Sequence, residues 1–262
     1  GTSIGFALRK YCNNLDTIIG YDLSNKNQDF AKKNQAVDKT EWSIKKSVSD
    51  SDLIFICVPT GKVYEVLNDI SDSTKPGAII CDTSTAKRAC INWIDKLFTN
   101  RISYIGINPL TTAALKTQND SSPDAFHGAK CAVVLGKNAS KESIDTITSI
   151  LESFGSNLLF MDPDEHDSFA VATSTLPSIT AAAMINSVSE SPAWPEISNF
   201  VGTNFDLATI SASFDPASTQ GASLVNPDLL IYWIDQVINH LNIMKSSLGD
   251  IEDRHSHEGK LA

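Results

Sequence analysis

Two stretches, DLIFICVP (Asp52–Pro59) and GAIICD (Gly77–Asp82), limit what this chain can fold into more than any others. Each is a continuous apolar run, and a strand that is apolar on both faces has to be covered on both faces. Such strands belong to parallel sheets with helices above and below. Each run is followed by a segment of helical period, at about Lys62–Ile70 and Lys87–Leu97. The alternation continues in both directions. Upstream, TIIGYD (Thr17–Asp22) reads as a strand between a helix that carries Ile4, Ala7, Leu8 and Tyr11 on one face and the polar helical stretch SNKNQDFAKKN. Downstream, strands are predicted at Ile102–Ile107, Ala129–Leu135 and Asn157–Met161, with an amphipathic helix at Lys141–Phe154 before the last. The pattern predicts an α/β, doubly wound parallel sheet over residues 1–162.

From Pro163 to about Leu248 the period changes. No strand is evident there, and apolar residues recur at three and four in EHDSFAVATSTLPSITAAAMINSV and PDLLIYWIDQVINHLNIMKSSL. Residues 163–262 therefore read as an all-helical domain. Its apolar stripes are wide for a segment of this size, which predicts packing against a second copy in a homodimer. No run appears long enough to cross a bilayer, so no membrane role is expected. The net charge is −10 with only four arginines, the opposite of the clustered positive charge that nucleic acid demands. The five cysteines (Cys12, Cys57, Cys81, Cys90, Cys131) show no metal spacing and fall mostly on core elements, as expected in a reducing cytoplasm. His255 and His257 in the polar tail read as a solvated end, and no metal site is expected.

The first domain suits a dinucleotide. In Rossmann-like sheets a strand runs into G-x-G-x-x-G, whose last glycine lets the helix pack close, and an acid about 20 residues on holds the adenosine ribose. Gly1 stands where the last glycine would be and Asp22 where the acid would be. On that reading a strand and two glycines would precede Gly1. A carboxylate at Asp22 repels a 2′-phosphate, so NAD is expected over NADP; otherwise Asp22 is a solvated acid at a strand end. Val58, Pro59 and Thr60 leave their strand at its carboxyl end, where such sheets bind ligands, although a proline there can simply stop the strand.

Short motifs narrow the choice further. Asp82-Thr83-Ser84-Thr85-Ala86-Lys87 ends one strand, YIGINPL (Tyr104–Leu110) contains the next, and DAFHGAKCAVV, DPDEHD (Asp162–Asp167) and STLPS (Ser174–Ser178) follow. In order and spacing these resemble the prephenate and arogenate dehydrogenase family of tyrosine biosynthesis, over nearly the whole chain. The family pattern reads G-T-S-I-G-x-A-L, D-x-x-S-x-K, G-H-P-M, E-H-D and S-H-L-P-H. The resemblance implies NAD(P)-linked oxidative decarboxylation. A hydride leaves the ring carbon bearing the 4-hydroxyl, carbon dioxide is lost, and the ring becomes aromatic. It also implies Asp82 near the cofactor, Lys87 near the substrate, and reacting-face roles for Thr85 and Asn108.

The chain departs from the pattern at several of these positions. The G-H-P-M histidine is Asn108, which cannot take a proton near pH 7. General-base catalysis is worth about 10²- to 10⁴-fold, so turnover of the family substrate should fall by that order. The S-H-L-P-H histidines are Thr175 and Ser178, and the family's substrate arginine aligns with Thr209, with no arginine between Arg101 and Arg254. A dicarboxylate thereby loses a bidentate anchor. The motif serine survives as Thr85, and Lys87 remains. Simpler roles exist for these residues: Thr85 as a helix cap, Asn108 as a turn-forming Asn-Pro, and His166 as a structural residue behind an Asp162 cap. Two functions follow: a dehydrogenase of prephenate, arogenate or another hydroxy acid, or a dinucleotide-binding homodimer without catalysis. A small-molecule substrate and the cytoplasm are expected for the first.

Overall fold

The computed structural model describes residues 1–99, 101–110, 120–213 and 216–258, with side chains described to residue 249. His255 and His257 lie outside the described side chains. The chain divides into two compact units, Gly1–Asp167 and Ser168–Ala262.

In the first unit, α1 (Thr2–Tyr11) precedes a small parallel sheet of β1 (Ile19–Gly20) and β2 (Lys39–Thr40), with α2 (Asn25–Lys33) between them. A short helix, α3 (Ile44–Val48), leads to a five-stranded sheet ordered β3 (Leu53–Ile56), β4 (Ile79–Asp82), β5 (Ser103–Leu110), β6 (Lys130–Leu135), β7 (Asn157–Phe160). Helices α4 (Val63–Ile70), α5 (Lys87–Phe98) and α6 (Lys141–Ser153) connect strands within it. Neither β2 nor α3 is foreseen by periodicity, because two and five residues are too short to establish one.

The alternation of β3 explains why its run had to be apolar throughout. Ile54 and Ile56 join Ile80, Tyr104 and Val134 in a core under α4 and α5, through Val63, Leu67, Ile70, Cys90 and Ile94. Leu53 and Phe55 face the other way, with Cys81, Ile105, Ile107 and Val133, under α1 and α6. The sheet is covered on both faces, as expected. It differs from the all-parallel reading at one place: β5 and β6 run antiparallel, while β3–β4, β4–β5 and β6–β7 are parallel. A parallel return needs a helical crossover. The described residues before β6 include a 3₁₀ turn, Pro123–Phe126.

The second unit is helical among its described residues, as expected. It comprises the end of α7 (Pro163–Ala170), α8 (Leu176–Ser189), α9 (Trp194–Ile197), α10 (Thr203–Thr209), α11 (Pro216–Val225) and α12 (Pro227–Glu258). A π-helical segment, Val171–Thr175, joins α7 to α8. The expectation that no run is long enough to cross a bilayer is corrected here. Pro163–Ser189 forms 27 continuous helical residues with a window of mean hydropathy 1.4, long and apolar enough to span one by length and composition. The core helix of a soluble protein passes the same test. Large apolar side chains stay exposed on this unit, among them Leu224, Ile231, Met244 and Leu248.

Candidate functional site

Register fixes which residues share an end of the sheet. Ile56 pairs with Asp82, and Asp82 with Gly106, in parallel ladders. Val58–Thr60, Thr83–Ala86 and Asn108 therefore all lie beyond that level at the same carboxyl end, where open α/β sheets bind their ligands. Thr60 and Thr85 are brought together: their hydroxyl oxygens lie 3.1 Å apart, and the Thr85 N–H donates to Thr60 Oγ1 at 3.3 Å. Pro59 is exposed and opens a 3₁₀ turn, Thr60–Lys62, while Val58 is half-buried against the core under α4 and α5.

Asp82 and Lys87 are placed otherwise than expected. Lys87 is 0% exposed and Asp82 1%. Lys87 Nζ donates to Asp82 Oδ1 at 2.9 Å and to the Asp82 carbonyl at 3.0 Å. The same carboxylate accepts the Ser84 N–H at 2.8 Å and the hydroxyls of Ser84 and Tyr104. Burial and the neighbouring carboxylate push the Tyr104 phenol well up, so it stays a donor. Asp82, expected near the cofactor, and Lys87, expected near the substrate, are thus bonded to each other. Both groups are spent on each other beneath the site, where they hold the loop from Thr83 to Ala86 onto α5.

The stem of Lys87 fits because residue 106 has no side chain. A Cβ at Gly106 would stand 2.6 Å from Lys87 Cδ and 2.9 Å from Tyr104 Oη. Neither neighbour can swing away without breaking a buried polar bond. Gly106→Ala is expected to lower stability by about 1–3 kcal/mol, the usual cost of overpacking a core. Urea unfolding followed by circular dichroism measures it, and an unchanged midpoint would show that Lys87 has room to move.

Thr85 does not cap α5, the simpler role open to it. That cap is supplied by Asp167, 80 residues away: its Oδ1 accepts the Lys87 N–H at 2.7 Å and its Oδ2 the Arg88 N–H at 3.1 Å. His166 Nδ1 lies 2.8 Å from Asp167 Oδ1, and His166 Nε2 lies 3.1 Å from Asn108 Nδ2. His166 is 2% and Asp167 0% exposed, whereas Asn108 is half-buried in β5. Asn108 is therefore not simply a turn residue; it belongs to the ladder and is tied to a buried His–Asp pair. Local pattern gives His166 only a structural role. The E-H-D motif is a signal, but its partner Asn108 lies 58 residues away.

Asp22 is exposed just past β1 of the separate two-stranded sheet. Its Oδ1 accepts the Ser24 N–H at 2.8 Å and Asn27 Nδ2 at 3.0 Å. These bonds leave Oδ2 for a pair of ribose hydroxyls, so the residues present fit an adenosine ribose without a 2′-phosphate. Asp22→Ala is expected to weaken NAD affinity about tenfold, in line with the loss of a hydrogen bond to a charged group, and to lose less with NADP. Titration with both nucleotides measures it, and equal losses would remove Asp22 from the ribose site. Gly1 is the N-cap of α1, and a Cβ there would meet only Cys57 Cβ at 3.6 Å. The close approach expected at Gly1 is made instead at Gly5, where a Cβ would collide with the Ala36 carbonyl oxygen.

Of the three positions expected to bind substrate in the second unit, Thr175 is buried at the end of the π-helical segment. Ser178 Oγ lies 3.4 Å from the Ser174 carbonyl. Thr209 is buried and donates to the Phe205 carbonyl at 2.7 Å. Its one donor is thus turned onto its own helix, and the hydroxyl oxygen remains an acceptor at the position where the family's arginine aligns.

Comparison with known proteins decides the family. A family model for the prephenate dehydrogenase nucleotide-binding domain matches residues 4–160, and one for the prephenate dehydrogenase dimerization domain matches residues 162–257. The chain belongs to the prephenate dehydrogenase family. It is a dehydrogenase with a nucleotide-binding first domain. It is 25% identical to the cyclohexadienyl dehydrogenase of Zymomonas mobilis, over 95% of this chain and 85% of that one. Among solved structures it is similar in fold to the prephenate dehydrogenase of A. aeolicus in complex with hydroxyphenyl propionate and NAD+. That match has a TM-score of 0.87 and 20% identity, and covers 96% and 88% of the two chains. The arogenate dehydrogenase of Synechocystis matches with a TM-score of 0.77 and 19% identity, over 96% and 89%.

Proposed function

We propose that this protein is an NAD-dependent dehydrogenase that oxidises and decarboxylates prephenate or arogenate, working in the cytoplasm as a homodimer through its helical domain. The observation that carries the reading is the set Thr60, Thr85 and Asn108 at the carboxyl end of the sheet in a chain of this family. Oxidised nicotinamide, when bound, supplies the acceptor for the hydride from the ring carbon. Asp22 would hold its ribose. The Thr85 hydroxyl and the Asn108 carboxamide are the polar groups that can engage the ring hydroxyl whose carbon is oxidised, and Thr60 holds Thr85 from behind. As the hydride leaves, the hydroxyl proton is released to its hydrogen-bonded surroundings, and once carbon dioxide is lost the aromatic oxygen takes a proton back, so the reaction releases no net proton and neither step calls for a strong acid from the protein.

The charge pattern refines the substrate. No arginine lies between Arg101 and Arg254, and Lys87 is committed to Asp82, so a second carboxylate finds few cations. Arogenate, whose side chain carries an ammonium group, suits such a site better than the more anionic prephenate. The dimer reading is supported by the exposed apolar residues of α12 and by the family's dimerization domain. Five free thiols suit the cytoplasm. A non-catalytic role is not adopted, because Thr85 and Asn108 remain polar and are held in ordered hydrogen bonds.

The test is NADH formation by the protein offered prephenate and arogenate separately, read at the nicotinamide absorbance. Turnover with either substrate is the expected result. Measurable NAD binding without turnover of either would overturn the reading.

A further inference from the structure

The contact between Asn108 and His166 lies within the first unit, and its chemistry can be worked out atom by atom. Asp167 Oδ1 and Oδ2 accept the backbone N–H groups of Lys87 and Arg88 at the start of α5, at 2.7 and 3.1 Å. That carboxylate is 0% exposed and has no proton to give while it serves those donors. The 2.8 Å contact with His166 Nδ1 must then be a bond that the ring donates. Asn108 Nδ2 can only donate, so its contact with Nε2 requires a bare lone pair on that nitrogen, which is the tautomer with its proton on Nδ1 alone. The 3.1 Å contact at Nε2 is therefore donated by Asn108 Nδ2. Because the carboxamide is planar, with oxygen and nitrogen on opposite branches, committing Nδ2 inward leaves Oδ1 as the atom offered on the other side.

We infer that His166 is a positioning residue that, locked by Asp167 as the Nδ1–H tautomer, orients the Asn108 carboxamide so that its oxygen accepts the hydrogen bond of the reacting hydroxyl. The inference rests on the proposed placement of Asn108 at that hydroxyl. It gives Asn108 one polarity, that of an acceptor, where a free asparagine could present either end. An acceptor is what a hydroxyl about to become a carbonyl needs, since electron density must be pushed toward the carbon losing hydride. It also gives a role to two buried polar groups, His166 and Asp167. The same carboxylate fixes the start of α5, two residues beyond Thr85, so one side chain sets the geometry of both reacting-face candidates.

The test uses two substitutions that each keep one half of the imidazole. In His166→Asn the amide nitrogen stands near the Nδ1 position, which keeps the bond to Asp167 and leaves Asn108 Nδ2 without its acceptor. In His166→Gln an amide oxygen can reach the Nε2 position, which keeps an acceptor for Asn108 Nδ2 and gives up the bond to Asp167. His166→Asn is expected to lower kcat up to about 100-fold, the cost of a misplaced reacting group, with the KM for NAD unchanged. His166→Gln should recover most of that loss. In an Asn108→Ala background neither substitution should change kcat further, whereas a merely structural role would still lower it.

A second measurement does not depend on activity. Nitrogen-15 NMR of the intact protein should find His166 protonated on Nδ1 alone and one Asn108 side-chain amide proton slowed in exchange. A proton on Nε2 would overturn the inference even in a fully active enzyme. If the wild type turns over neither prephenate nor arogenate, the proposed function fails, while the tautomer still decides whether the Asn108 carboxamide is held as described.

Discussion

Lys87→Met should remove most of the stability of the nucleotide-binding unit. Breaking a buried ion pair by removing one partner costs about 3–5 kcal/mol, because the remaining charge has neither water nor partner. That is a large fraction of the roughly 5–15 kcal/mol that holds an ordinary domain together. Asp82 is an extreme case: it is 1% exposed, and Ser84, Tyr104 and the Cys90 thiol beside it are neutral groups that do not replace a cation. The methionine stem fills the space above Gly106 about as well as the lysine stem, so packing is nearly conserved and the loss is electrostatic. Tyr104→Phe, which leaves the ion pair intact, should cost only about 1–2 kcal/mol, one buried hydrogen bond. Urea unfolding of the three proteins measures the order. A Lys87→Met chain no less stable than Tyr104→Phe would show that Asp82 takes up a proton at little cost and that the pair is not what secures the loop.

This pair marks how far the sequence can be read. The runs at Asp52–Pro59 and Gly77–Asp82 can be assigned to a sheet covered on both faces, because every side chain in them has to find an apolar neighbour, and it does. The motif from Asp82 to Lys87 is equally plain as a motif, but a sequence does not say which way a lysine stem turns. The direction is set by the gap at Gly106, 19 residues on in the neighbouring strand, and by Tyr104 beside it. The antiparallel turn of β6 is hidden for a similar reason: AKCAVVL is apolar enough to serve in either direction, and only its register against β5 tells them apart. Gly5 gives no sign in the sequence because the close approach belongs to the Ala36 carbonyl, which carries no side-chain signature. Asn108 and His166 are each visible alone. Their pairing depends on β5 and α7 meeting at one point, which local period cannot encode.

That meeting point makes Asn108→His the most telling change at the site. With the imidazole in place of the carboxamide, its Nδ1 stands near the present position of Asn108 Nδ2, 3.1 Å from His166 Nε2. Because the bare Nε2 of His166 asks for a donor, the introduced ring is driven to carry its proton on Nδ1 and to leave its own Nε2 free as a base. The pocket would thus receive an oriented general base without further alteration. If Asn108 faces the reacting hydroxyl, kcat with the preferred substrate should rise by about 10²-fold or more, the lower range of what a positioned base contributes. The gain should also depend on pH in one direction. The introduced imidazole works only when unprotonated, so the advantage over the wild type should appear as pH rises through about 6.5 and vanish below it. Steady-state rates of both proteins between acid and neutral pH measure this. A variant that folds and binds NAD yet gains nothing at any pH would remove Asn108 from the reacting hydroxyl, and with it the reason for a buried His–Asp pair behind that residue.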